Sequence, residues 1–435
     1  MTKPNSKFSD HSITRTLAAV GAASLFLVGS RVLLNYFGPS RPFGLDCDPD
    51  ADLCSDEFLN FLSQVTNGAV RRSKITRLRD GAEFYPAQLE AIRGAKYSIN
   101  LETYEFLEGR ISDQFLAALA ERARAGVEVR LVVDAVGSMG TRDAYFKTLR
   151  DAGGKMFWYH PLRWNTWQLA DNRTHRKLLI VDAAVGFIGG AGIADQWITP
   201  SPGKPVWRDT MFRVEGEAVA GLVSTFSENW LESSGEILCG PKQFRADLSA
   251  EGSRSFVVLS TPKGGGTQAH ILFQALIQSA RKTIRITTPY FLPDRSARSA
   301  LVQAIRERGV KVQILTAGPK IDHTFIRGLS RNSSRRLLQA GAEILEYQPS
   351  MIHAKLMTVD EQWCVVGSTN FDHRSFELND EVNLAALDPA LAKVIEDDFE
   401  RDVRLSRPLT LAMLHRPSIV APIERVIDHA MEQES

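Results

Sequence analysis

The 435-residue sequence predicts an α/β layered fold built from two copies of one structural pattern. Apolar strands alternate with amphipathic helices, as in a sheet that is covered by helices. A strand–helix–strand segment recurs after 186 residues, and a short polar motif recurs after 178 residues. Repetition at matching places indicates that a whole structural unit is duplicated.

The same three elements are predicted in each copy. A strand comes first, an amphipathic helix follows, and a glycine ends the helix and leads into a second strand, which is typical of a helix C-terminus. The predicted pairs are strands 96–104 and 282–290, helices 112–125 and 295–308, and strands 126–133 and 309–315.

The domain boundaries follow from this repeat. The Gly- and Pro-rich stretch 261–267 predicts a linker, which places the first copy at 46–260 and the second copy at 268–435. A composition of 44% hydrophobic and 24% charged residues excludes a disordered or collagen-like protein. The net charge of +1 shows no basic excess of the kind that favours nucleic-acid binding. Four cysteines are too few for a disulfide scaffold.

Residues 1–45 predict a membrane anchor or signal-like segment followed by a linker. A basic lead precedes 15 uncharged residues between Arg15 and Arg31. This run is shorter than the ~20 residues of a spanning helix, so a cleaved signal and a core helix stay open as alternatives. The leading positive charge favours a body outside the cytoplasm. Cys47 and Cys54 are either a disulfide or two separate thiols.

The recurring polar motif has the form HxKxxxxD and indicates the chemistry. In a strand, residues i and i+2 share a face, so each His and Lys point into one cleft. The Asp has the opposite parity, and we expect it to make a turn or a buried ion pair. We keep all six motif residues as catalytic candidates: His175, Lys177 and Asp182, then His353, Lys355 and Asp360.

A duplicated His/Lys pair suits a phosphate ester. Lysine offsets the charge of the non-bridging oxygens, while one imidazole attacks phosphorus and the other protonates the leaving oxygen. The segment 367–381 follows the second motif. There, Ser368 and Asn370 are expected to contact the phosphate, and Glu381 is expected to fix the tautomer of a cleft histidine.

On these motifs the chain resembles the phospholipase D superfamily and, within it, the bacterial cardiolipin synthases. The resemblance spans roughly residues 81–402 and includes the segments 101–106 and 288–294. It implies a pseudo-two-fold pair of α/β/α lobes that share one active site. It also implies a covalent phosphohistidine intermediate and neither a metal nor another cofactor.

The resemblance further implies a role for each site residue. These are a nucleophile at His175, a general acid at His353, phosphate binding by Lys177, Lys355 and Asn370, and histidine orientation by Glu381 and, in the first copy, Asp209. The first copy departs from the family pattern, because Gly192 stands where Asn is usual. We therefore expect an asymmetric site.

The function expected on this basis is synthesis of cardiolipin from two phosphatidylglycerol molecules with release of glycerol. The partners are then a phospholipid substrate and the membrane surface, without nucleic acid, and one chain suffices for one site. Three alternatives stay open: a phospholipase D that uses water or a small alcohol, a phosphodiesterase or nuclease, and a scaffold with an inactive site.

Overall fold

The computed structural model describes residues 43–46, 52–162, 171–201, 205–245, 251–262 and 267–415. Most of the predicted anchor and Cys47 lie outside the described residues, as do parts of the predicted linker. Within these ranges, no helix has both the length and the apolar character needed to cross a membrane.

The strands are short and mostly buried. In chain order they are β1 (Arg71–Arg79), β2 (Ser98–Thr103), β3 (Glu128–Asp134), β4 (Lys155–Tyr159), β5 (Arg173–Thr174), β6 (Lys177–Val181), β7 (Val185–Gly189), β8 (Thr210–Gly216), β9 (Ser253–Ser260), β10 (Thr283–Thr287), β11 (Phe291–Leu292), β12 (Lys311–Ala317), β13 (Glu343–Tyr347), β14 (Leu356–Val359), β15 (Trp363–Gly367), β16 (Phe371–Asp372), β17 (Asn379–Leu387) and β18 (Ser406–Pro408).

The α-helices lie between these strands. They are α1 (Asp56–Val65), α2 (Asp80–Gly94), α3 (Arg110–Arg124), α4 (Lys147–Asp151), α5 (Val219–Ser234), α6 (Gln268–Ser279), α7 (Arg295–Arg308), α8 (Thr324–Ser333), α9 (Arg335–Ala340), α10 (His373–Glu377) and α11 (Pro389–Val403).

Sixteen of the described strands form one continuous sheet. At its centre, β1 pairs antiparallel with β9. Outward from this central pair the order is β1-β8-β7-β6-β2-β3-β4 on one side and β9-β17-β15-β14-β10-β12-β13 on the other. The two halves therefore have matching strand orders, and the predicted mixed α/β fold is confirmed. By its place in the sheet, β9 begins the second half, although the boundary predicted from the sequence puts it in the first copy.

The repeated segments form the elements that their sequences predict. The helix predicted at 295–308 is α7, and the one predicted at 112–125 is α3, which begins two residues earlier. Asp294 begins α7 by accepting hydrogen bonds from the amides of Ser296 and Ala297. Gly309 ends it with φ of +68°, a left-handed conformation that glycine adopts without strain.

Helices cover both faces of the sheet. Along β14, Leu356 packs in a cluster with α5 and α11, whereas its neighbour Met357 packs in a cluster with α6 and α7. Alternate side chains of a strand point to opposite faces, so these clusters are two separate cores. Helix α1 also packs in the second of these cores, where Phe58 contacts Trp363 with ring centroids 5.9 Å apart.

Candidate active site

The two motif histidines lie at the boundary between the two copies. His175 follows β5, which pairs in parallel with β17 of the second copy, and its amide donates to the Asp380 carbonyl at 2.9 Å. His353 mirrors this arrangement, because its amide donates to the Arg208 carbonyl of the first copy at 2.7 Å. Backbone hydrogen bonds therefore seat each histidine against the opposite copy.

Each histidine is hydrogen-bonded to a carboxylate of the opposite copy. His175 Nδ1 lies 2.9 Å from Glu381 Oε1, and His353 Nδ1 lies 2.9 Å from Asp209 Oδ2. Both carboxylates are fully buried. The pairing fixes Nδ1 as the inner nitrogen, which leaves Nε2 of each ring for chemistry. A complete His–carboxylate pair thus needs both copies.

Both histidines line one cleft of about 210 Å³, together with Lys177 and Asn370. Lys177 Nζ donates to the carbonyl of His175 at 2.5 Å, and Lys355 Nζ donates to that of His353 at 2.5 Å. Burial and mutual repulsion lower the pKa of Lys177 to about 7, and burial lowers the pKa of Lys355 to about 8. Both histidines and Lys177 therefore line the cleft, whereas Lys355 is buried beside His353 and is not among the lining residues.

The two histidines differ electrostatically. Burial and the charges of both lysines hold the pKa of His175 well below its usual value. Burial and Lys355 also lower the pKa of His353, but Asp209 opposes them and leaves it at about 4. Asp209 therefore favours the protonated form of His353.

The two carboxylates that contact these histidines also differ in their pKa values. Burial raises the pKa of Asp209, yet the hydrogen bond from His353, the charge of Lys355 and the Thr210 amide together keep this pKa below its usual value. Burial raises the pKa of Glu381 to about 7, against the charge of Lys177. At neutral pH, His353 therefore faces the more fully ionised carboxylate, which stabilises an imidazolium.

Ser368 contacts a carboxylate and does not line the cleft. Its hydroxyl donates to Glu381 Oε2. The matching position of the first copy is Gly190, where a Cβ would lie 2.5 Å from Asp209 Oδ1. Instead, Trp197 Nε1 donates to Asp209 Oδ2 at 3.0 Å. Different donors therefore hold the two carboxylates.

The motif aspartates form turns, as their strand parity predicts. Asp182 has φ of +53°, and its carboxylate accepts from the amides of residues 96–98 at 2.7–2.9 Å. Asp360 also has φ of +53° and accepts from the amides of residues 281–283 at 2.7–2.8 Å. Neither aspartate lines the cleft. Their place indicates that they fix the strands behind the motif rather than touch the reacting atoms.

Several cleft residues are absent from the sequence-based set. Tyr104 lines the cleft and packs edge-on against His175, with ring centroids 5.3 Å apart. Trp207 lies outside the lining and contacts the His353 ring, with ring centroids 5.5 Å apart. Tyr104 and Tyr290 occupy matching places in the two copies and both line the cleft, so the repeat itself carried a signal for them. Glu105 and Arg374 also line it, and no repeated pattern marks either of them.

Solved structures share this fold. The phosphatidylserine synthase of Haemophilus influenzae superposes with a TM-score of 0.65 over 87% of this chain and 98% of that one, at 14% identity. A polyphosphate kinase from Porphyromonas gingivalis gives a TM-score of 0.55 over 83% of this chain and 53% of that one, at 12% identity. At these identities the likeness concerns the fold alone. The duplicated motif around one cleft then defines a phospholipase D-type protein.

Sequence comparison identifies the particular family. A family model described as "Cardiolipin synthase, PLD-like domain" matches residues 89–200 and 273–403. The probable cardiolipin synthase YwiE of Bacillus subtilis is 34% identical over 340 residues, which cover 78% of this chain and 68% of that protein. A cardiolipin synthase of Oceanobacillus iheyensis is 33% identical over 370 residues, which cover 85% of this chain and 77% of that protein. The chain belongs to the family of phospholipase D-like cardiolipin synthases.

Proposed function

We propose that this chain makes cardiolipin from two phosphatidylglycerol molecules and releases glycerol. One observation carries the proposal: two crossed His–carboxylate pairs place both histidines in a single cleft, which Lys177 also lines, and the buried Lys355 is hydrogen-bonded to the carbonyl of His353. The family relationship supports the lipid substrate, because the relatives compared above are named as cardiolipin synthases.

In the first half-reaction, His175 attacks the phosphorus of phosphatidylglycerol. The bond from phosphorus to Nε2 forms as the bond from phosphorus to the glycerol oxygen breaks. His175 suits this role because burial and the surrounding cations keep its imidazole neutral. His353 reacts in its imidazolium form, a minor form at neutral pH that Asp209 stabilises, and gives its Nε2 proton to the departing oxygen.

In the second half-reaction, a second phosphatidylglycerol supplies the acceptor. His353 takes the proton of its terminal hydroxyl, the oxygen bonds to phosphorus, and the bond between phosphorus and His175 breaks. The same histidine thus acts as acid and then as base, as microscopic reversibility demands. Cardiolipin leaves, and both histidines return to their starting protonation states.

The lysines and Asn370 hold the phosphate in both steps. The two lysine side chains are buried, and their ammonium groups offset the charge of the non-bridging oxygens. Asn370 lines the cleft, where its Nδ2 amide group can donate a hydrogen bond to a phosphate oxygen.

The reaction takes place at a membrane surface on this proposal, because both substrates are phospholipids. The apolar run within residues 1–45 would anchor the chain beside its substrate, with copies 46–260 and 268–435 forming the body. One chain completes the site, since each carboxylate comes from the opposite copy of the same chain.

Product analysis tests this proposal. Purified protein in detergent is given phosphatidylglycerol alone, and the lipids are identified by mass spectrometry. We expect cardiolipin and free glycerol, with rates at least 1,000-fold lower in His175→Ala and His353→Ala, because each loses a reacting group. Thermal melting of each variant shows that it is folded.

Other products would contradict the proposal. Phosphatidic acid without cardiolipin would indicate a phospholipase D that transfers to water. A nuclease would be indicated if the protein turned over no lipid but cleaved a polynucleotide, and if this cleavage became slower in high salt.

A further inference from the structure

Glu105 occupies the place of the asparagine that the first copy lacks. The counterpart of Asn370 is Gly192, where a Cβ would lie 2.8 Å from both Cβ and the carbonyl oxygen of Glu105. The second copy has the reverse arrangement, because the counterpart of Glu105 is the buried Phe291. One copy thus presents an amide to the cleft, and the other presents a carboxyl group.

The Glu105 carboxyl group is held in place at one oxygen and is free at the other. Gln196 Nε2 donates to Oε2 at 2.8 Å. Among the described residues, Oε1 has no hydrogen bond, and the residue lines the cleft with both histidines. Burial raises the pKa of Glu105 to about 7, against Lys177 and Lys355, so the ionised acceptor predominates above neutral pH.

The charges around Glu105 select the kind of group that it binds. Phosphate oxygens only accept hydrogen bonds, and a carboxylate repels them because both groups carry negative charge. An ammonium headgroup would meet the two buried lysines that also face this carboxyl. A neutral hydroxyl donates to a carboxylate without either penalty. The glycerol headgroup of the substrate carries such hydroxyls.

We propose that Glu105 accepts a hydrogen bond from the secondary hydroxyl of the glycerol headgroup. This inference rests on the proposed function. The secondary hydroxyl is next to the oxygen that leaves in the first half-reaction and next to the oxygen that attacks in the second. A single acceptor therefore serves both steps. Since water offers no second hydroxyl, Glu105 favours transfer to lipid over hydrolysis and is a specificity-determining residue.

The first test measures how the enzyme distributes the phosphatidyl group between its two acceptors, which are phosphatidylglycerol and water. Glu105→Ala and the isosteric Glu105→Gln are incubated with phosphatidylglycerol, and cardiolipin and phosphatidic acid are quantified together. We expect the ratio of cardiolipin to phosphatidic acid to fall about tenfold or more in Glu105→Ala, since a hydrogen bond to a charged group is lost. Glu108→Ala is the matched control, because Glu108 lies outside the cleft and pairs with Arg142 on the surface.

The second test removes the hydroxyl instead of the carboxylate. Phosphatidyl-1,3-propanediol keeps the terminal hydroxyl but lacks the secondary one. We expect this lipid to lower the transfer rate of the parent protein about tenfold and to lower that of Glu105→Ala no further, which a merely structural role would not produce.

The outcomes separate this inference from the proposed function. If the parent protein makes cardiolipin and Glu105→Ala lowers both products equally, Glu105 does not select the acceptor and the inference is wrong. Additive losses for the variant and the analogue would also contradict it. If the parent protein makes no cardiolipin, the proposed function itself fails.

Discussion

Lys177 and Lys355 are expected to take up protons when an anion binds in the cleft. Each is buried and donates to a backbone carbonyl, and the pKa values of about 7 and 8 lie far below the usual 10.5. An anion between them favours their charged forms and therefore raises both pKa values. Binding of a phosphodiester is thus linked to proton uptake.

This linkage can be measured with dimethyl phosphate, whose single charge does not titrate near neutrality. At pH 8.5 both lysines are mainly neutral in the free protein, so we expect uptake of about one proton or more on binding. At pH 6 both lysines already carry their protons, and the uptake falls toward zero. Calorimetry in buffers of different ionisation enthalpy gives the number directly. Equal uptake at both pH values would contradict these lowered pKa values.

At the scale of single residues, part of the site follows from the sequence. The two-residue spacing of His and Lys places both on one face of a strand, and the opposite parity of Asp182 and Asp360 indicates their turns. The place of Glu105 does not follow, because it depends on how closely the backbone at Gly192 approaches it. The sequence of either segment alone does not indicate that the two segments lie close together in the fold.

At the scale of elements, Asp360 lies in the turn between β14 and β15 and joins this hairpin to the start of β10. Its carboxylate holds three successive amides, and its backbone has φ of +53°, where Asp and Asn are tolerated better than Ala. The same device at Asp182 holds the start of β2. These contacts keep each motif strand in register with the antiparallel strand beside it, β14 with β10 and β6 with β2.

We expect Asp360→Ala to lower the free energy of unfolding by roughly 2–4 kcal/mol, since it leaves three amides without a charged acceptor and strains the turn. Asp360→Asn keeps one acceptor and the left-handed backbone, so its loss should be about half as large. Denaturation with guanidinium chloride measures both. Equal stability of the parent and Asp360→Ala would contradict the structural role.

The crossing of the His–carboxylate pairs is another feature that the sequence leaves open. The sequence predicts that Asp209 and Glu381 each orient a histidine, but it does not indicate which histidine each one binds. Pairing of β5 with β17 decides this, because it places His175 beside the second copy. The two strands lie about 200 residues apart, so only the assembled sheet reveals the partners.

At the scale of the whole molecule, one sheet runs through both copies and the cleft lies where they meet. The pairing of β1 with β9 joins the halves, and α1 packs in the core formed by the second copy. The matching strand orders imply a pseudo-two-fold relation. Within this near-symmetry, Gly192, Glu105 and Trp197 make the two sides unequal.

The central claim is that these unequal sides give the histidines different roles, with His175 as the nucleophile. The most direct test uses phosphatidyl-p-nitrophenol, whose leaving group departs without an acid. We expect His353→Ala to release about one nitrophenolate per chain and then to stop, because no base activates the acceptor. Peptide mapping at alkaline pH should place the phosphatidyl group on His175, and His175→Ala should give no burst. A burst from His175→Ala, with the label on the peptide that contains His353, would contradict the account.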